Sequence, residues 1–239
     1  MANLPNDLNE ATIQAIASTQ AALADGQTRL QVELKIPEIK IQPIARQFIF
    51  DGFADLGSRL RVFFPDAGSA ALARRDWGET LFAIRGISDV QAAIQAEDST
   101  FIFVEPSAVE VQEVRKTLQS GGRSPVILLN PQLEDISIIG IGYAGRQLRD
   151  RFLSTLQSCY YIRPIDDTAA VFRAYPDTWQ AWLETDGLYN KIADFAERPS
   201  AEALDKVFID ADPASNADSR PVKTSFLRDL QRFFNALSR

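Results

Sequence analysis

A series of short apolar runs, each followed by a turn signal and a helix-like stretch, sets the strongest limit on what this chain can fold into. The runs are Arg59 to Phe64, Leu81 to Ile84, Thr100 to Val104 and Pro125 to Leu129. Each is too short for a buried helix and nearly continuous in aliphatic and aromatic residues. Strands of that kind are covered on both faces, as a parallel sheet with crossover helices requires. Short helices are expected at Ser69 to Arg75, from Ser88-Asp89 to about Gln95, and after Glu105-Pro106-Ser107 to about Leu118. Upstream, Asn6 or Asp7 caps a helix reaching about Ala24, and Asp25-Gly26 stops it. Thr28 to Leu34 alternates apolar and polar residues as a strand does, and Ile44 to Leu56 has helical spacing ended by Gly57.

The pattern changes past residue 158. Tyr160 to Ile162, Ala169 to Tyr175 and Trp179 to Leu183 read as successive strands with short connections, which predicts an antiparallel meander. Leu188 to Ala196 reads as a helix, 210–221 as a loop rich in Asp, Pro, Ser and Asn, and 224–238 as a final amphipathic helix capped by Thr224. The expected fold is α/β. A mostly parallel sheet is flanked by helices in a Rossmann-like three-layer arrangement, with an antiparallel meander in the C-terminal third. One domain over 1–239 is expected, its parallel strand–helix half at 28–140 and its meander at 158–184.

Composition excludes several chemistries. The chain has 239 residues, no histidine and one cysteine, Cys159. A histidine-based triad, a histidine base and a histidine metal ligand are therefore ruled out, as is an intramolecular disulfide. The carboxylate spacing of an EF-hand is missing, so no metal is expected. A net charge of −7 disfavours duplex nucleic acid. No apolar run approaches a membrane span, and no basic-then-apolar leader opens the sequence. These features predict a cytoplasmic protein.

Three constellations are candidates for chemistry. The first is Gly140-Ile141-Gly142-Tyr143-Ala144-Gly145, with Asp166 about 20 residues beyond. It has the spacing of a dinucleotide cradle, in which glycines admit the pyrophosphate to a helix N-terminus. It also suits a plain strand–helix turn, with Asp166-Asp167 closing a hairpin. Arg146, Arg149 and Arg151 make the following helix basic, a surface for an anion or an acidic partner. The second constellation follows from topology: ligands of open α/β sheets lie at strand carboxyl ends. Asp66, Gly68, Arg85, Glu105 and Asn130 sit there and would line one crevice, or else serve as caps and turn formers. The third is the aromatic stretch Phe172 to Trp179, either sheet core or a platform for a ring-shaped ligand. No catalytic residue is assigned, and no cofactor is expected.

Several separated segments carry a family resemblance: TRLQVELKIPE (28–38), FFPDAGSAALARRDW (63–77), VILLNPQLED (126–135), GIGYAGRQLRDRFL (140–153) and FRAYPDTWQAWLE (172–184). Together they resemble the family of cyanobacteria and chloroplasts known as domain of unknown function DUF1995. That family is similar to the plant low-photosystem-II-accumulation assembly protein. The resemblance implies a non-enzymatic auxiliary factor for photosystem assembly. It would act by binding a partner protein, a photosystem subunit or an assembly intermediate, at the periphery of the thylakoid membrane. The competing expectation is a nucleotide- or dinucleotide-binding enzyme or sensor using the crevice at the strand ends.

Overall fold

The computed structural model describes residues 3–89, 95, 97–107, 109–110, 113–115, 124–133 and 153–211. Its centre is a nine-stranded sheet. The strands are β1 (Arg29–Leu34), β2 (Leu60–Phe64), β3 (Ala83–Gly86), β4 (Thr100–Val104), β5 (Val126–Leu129), β6 (Gln157–Pro164), β7 (Ala169–Ala174), β8 (Trp179–Thr185) and β9 (Leu188–Phe195). Their order across the sheet is β3-β2-β4-β5-β1-β6-β7-β8-β9. Every pairing from β3 to β6 is parallel, and β6 to β9 pair antiparallel. The mostly parallel α/β sheet with a C-terminal antiparallel meander is therefore the fold.

Alternation along the strands gives the sheet two apolar faces. Val32, Val62, Ile102, Ile127, Tyr160 and Phe172 belong to one continuous buried core. The helices α1 (Leu8–Ala24), α2 (Ile41–Phe53) and α3 (Ala67–Trp77) supply the opposing side chains, among them Ala15, Phe48, Ile49, Ala73 and Trp77. Fully burying one such Phe or Ile stabilises by about 1.5–3 kcal/mol. Asp7 caps α1 by accepting the Glu10 N–H at 2.7 Å. Glycine is required where α1 meets α2, because a Cβ on Gly52 would stand 2.9 Å from Ile16 Cγ2.

On the opposite face Phe63 and Phe103 stack with ring centroids 5.0 Å apart, both buried. Further along that face Tyr161, Val171 and Trp179 form a second cluster. Leu204 of a short helix α4 (Ala201–Ala211) packs on it.

The C-terminal third departs from the expected elements. Leu188 to Ala196 is not a helix: Leu188–Phe195 is β9, paired antiparallel with β8 from Thr185↔Leu188 to Trp179↔Phe195. The tight turn that joins them is Asp186-Gly187, with φ of 55° and 80°. Those paired left-handed residues match the two-residue hairpin turn whose twist suits antiparallel strands. Asp210 and Ala211 still belong to α4, so the expected loop at 210–221 does not begin at residue 210. Residues 212–221 and the expected helix 224–238 lie outside the described residues. Among the described residues no helix is long and apolar enough to cross a membrane.

Candidate functional site

Adjacent strands whose connections diverge open a crevice at their carboxyl ends. β2 and β4 are such a pair, β2 leading out to β3 and β4 the other way to β5, and the polar residues gather on the inner side of that pair, at the ends of β4, β5 and β1. The first residues past those three strands are Glu105, Asn130 and Lys35.

These residues are tied together. The Glu105 N–H donates to Leu129 O at 2.8 Å, and the Asn130 N–H donates to Val32 O at 2.7 Å. Each strand end is thereby stitched to its neighbour. Asn130 Oδ1 accepts the Leu34 N–H at 3.2 Å, and Asn130 Nδ2 donates to Glu105 Oε1 at 3.4 Å. Lys35 Nζ donates to Pro131 O at 2.9 Å. Glu105 and Asn130 both hold left-handed backbone, with φ of 47° and 50°. Asparagine tolerates that region, but for glutamate it costs on the order of 1–3 kcal/mol. Burial pushes the Glu105 carboxyl above the usual glutamate range, against the opposing pull of the Asn130 amide and the Lys35 charge. A strained, half-buried carboxyl with an amide and an ammonium beside it can donate or accept a proton toward a polar ligand.

The other expected crevice residues are used elsewhere. Asp66 is the N-cap of α3, accepting from Ser69 N at 2.8 Å and Ser69 Oγ at 2.7 Å. Those bonds, the backbone one first, lower its carboxyl pKa. Gly68 sits against that cap, where a Cβ would meet Asp66 Oδ1 at 3.0 Å. Arg85 is exposed on the edge strand β3, with β2 between it and β4, roughly 9–10 Å across the sheet. The structure thus brings together Glu105 and Asn130 of the expected set and adds Lys35. Its signal in the sequence was its place immediately after an alternating strand.

Asp166 closes the β6–β7 turn, its Oδ1 accepting from Thr168 N at 2.8 Å, Thr168 Oγ1 at 3.0 Å and Ala169 N at 2.8 Å. Gly140, Gly142, Gly145, Arg146, Arg149 and Arg151 lie outside the described residues. Among the described residues no group of three or more His, Cys, Asp or Glu side chains could hold a metal.

Residues 5–206 match the model of a family described as a domain of unknown function, DUF1995. This chain is a DUF1995 protein. No solved structure matches it.

The DUF1995 match takes in the whole meander, and the meander carries two further arrangements. On one face the Tyr161 and Trp179 rings lie 5.0 Å apart, and Arg198 stands 4.6 Å from the Tyr161 ring centroid. The aromatic stretch Phe172 to Trp179 is divided by this geometry. Phe172 faces the helix-covered core, while Trp179 faces Arg198. On the helix-covered face, the β8–β9 turn and the segment Asn3–Asn6 enclose a pocket of about 530 Å³. Leu4, Pro5, Ile162, Trp182, Leu188 and Tyr189 supply its apolar lining.

Proposed function

We propose that this DUF1995 protein is a non-enzymatic auxiliary factor in the assembly of a photosynthetic complex, acting by binding a partner protein. It would work on the cytoplasmic side of a cyanobacterial thylakoid, at the membrane periphery, on a photosystem subunit or assembly intermediate. The observation that carries the reading is the open antiparallel end of the sheet. There the edge strand β9, an exposed Leu188 and a pocket with an apolar floor lie side by side, where an extended partner segment can dock. The family resemblance supplies the photosynthetic context.

The test is a deletion strain paired with co-purification of a tagged chain from its native host. Reduced photosystem II content, slow recovery from high light and a retained photosystem assembly intermediate are expected. Normal photosystem content with normal recovery overturns the reading.

A second reading rests on the left-handed Glu105 and Asn130 at adjacent strand ends. Under it the crevice binds a nucleotide. Calorimetry with NAD, NADP, FAD, ATP and AMP decides: heat that is lost in Glu105→Gln supports it, and no heat from any of them removes it.

A further inference from the structure

The pocket at the β8–β9 turn has a floor and a rim of different character. The floor is apolar, and the polar atoms of its rings are already engaged. Trp182 Nε1 donates to Gln180 Oε1 at 2.9 Å, and Tyr189 Oη donates to Asp167 O at 2.7 Å. Both rings therefore offer only their carbon surfaces to an occupant. Leu188 is 70% exposed on the edge of this floor. The wall opposite is held in place, because Gln14 Nε2 donates to Asn3 O at 3.1 Å and the Asn6 N–H donates to Glu10 Oε2 at 2.8 Å.

The rim is anionic. Glu184 lines the pocket and pairs across the hairpin with Tyr189. Burial raises the Tyr189 phenol pKa, and the charges of Glu184, Asp166 and Asp167 raise it further. Asp166 and Asp167 do not line the pocket, but their turn is bonded to the same ring through the Tyr189 Oη–Asp167 O contact, which places it beside the Glu184 end of the pocket. Among the described lining residues none is cationic.

We infer that this pocket seats an apolar side chain from a basic segment of the partner protein, with lysines or arginines on either side of that anchor meeting Glu184, Asp166 and Asp167. The inference rests on the protein-binding reading and deepens it. An apolar anchor in a pocket with a charged rim is how a short segment combines affinity with orientation. The same carboxylates repel an anionic lipid surface, so the pocket's chemistry favours a basic protein segment over the membrane itself.

Fluorescence anisotropy of the full chain with a fluorescein-labelled peptide tests it. The probe has a Leu-Phe pair flanked on each side by two arginines. Saturable binding is expected, weakening as salt rises. Replacing the arginines by glutamates, or Leu-Phe by Ser-Ser, should abolish it. Glu184→Lys and Leu188→Ser should each weaken it by about tenfold or more, a loss in the range of a single hot-spot contact. Both side chains stand at the surface of the hairpin, and circular dichroism checks that each variant is folded. No saturation up to about 1 mM overturns the inference. Equal binding of the glutamate peptide, or unchanged affinity in Glu184→Lys, does the same. If the partner co-purifies equally with the Glu184→Lys chain, this pocket fails while the protein-binding reading stands.

Discussion

Arg198 follows Glu33 by 165 positions in the chain, yet its Nη1 lies 3.4 Å from Glu33 Oε1. Glu33 is on a central strand with a side chain only 6% exposed, while Arg198 is 48% exposed. Ser158 Oγ donates to the other Glu33 oxygen at 3.2 Å. Arg198 also donates from Nη2 to Tyr161 Oη at 3.1 Å and lies over the Tyr161 and Trp179 rings. One side chain thus neutralises a carboxylate buried on a central strand and ties the stretch before α4 to the sheet.

Replacing Arg198 with alanine should destabilise the fold by about 1–2 kcal/mol. The figure is set below that of a fully buried charge pair because half of the arginine is in water. Urea unfolding followed by tryptophan fluorescence measures it. Arg198→Lys should recover only part of the loss, because an ammonium reproduces neither the forked geometry nor the stacking. Full recovery with lysine would mean that charge alone holds the contact.

Glu105 makes a prediction about pH. Its carboxyl pKa is raised in the folded chain above an ordinary value of 4.5. The folded state therefore holds this proton more tightly than the unfolded state does. The stability it contributes is full below about 4.5 and is lost as pH rises through the folded-state value. Glu105→Gln, which cannot ionise, should gain stability relative to the parent between acid and neutral pH. Thermal melts of both chains at matched ionic strength check the sign. A difference that is constant across pH rejects the raised value.

Asn130 should prove costlier to change than its exposed-looking Asn-Pro context suggests. Its Oδ1 takes the Leu34 N–H, and its backbone has φ of 50°. Asn130→Ala leaves that amide without the acceptor and forces alanine into left-handed backbone, a loss of about 2–4 kcal/mol. Asn130→Gly removes only the hydrogen bonds and should lose about 1–2 kcal/mol. The gap between the two substitutions, read from chemical denaturation, measures the backbone strain at the strand end.

Much of the architecture was legible because its cues are local. Thr100–Val104 is a strand with the bounds its apolar run marks, and Asp7 caps α1 where the cap residue precedes the apolar spacing. The meander was legible from closely spaced strands. β9 was not, for a physical reason. Leu188, Ile192 and Phe195 fall at helical spacing, and a shift of register at Ala181/Trp182 opposite them breaks the alternation that would have marked a strand. The better cue was Asp186-Gly187. At the site, Glu105 and Asn130 were found from their place after strands. Their left-handed backbone and the approach of Lys35 depend on packing between distant segments. The Glu33–Arg198 contact is beyond sequence reasoning for the same cause, since no local pattern encodes a partner that far along the chain.

The β8–β9 turn gives the most direct test of that correction. Gly187 has φ of 80°, and a Cβ added there would meet nothing within 4 Å. Gly187→Ala therefore carries a purely conformational penalty, about 1–2 kcal/mol for a left-handed alanine. Gly187→Asn should lose less, since asparagine enters that region more readily. If residues 188–196 were instead a helix, alanine near its start would be neutral or stabilising. Hydrogen exchange adds a local readout. In Gly187→Ala the amides of β8 and β9 that pair from Thr185↔Leu188 inward should lose protection before those of β1 and β5. The loosened turn also carries Leu188, so peptide binding at the pocket should fall along with that protection.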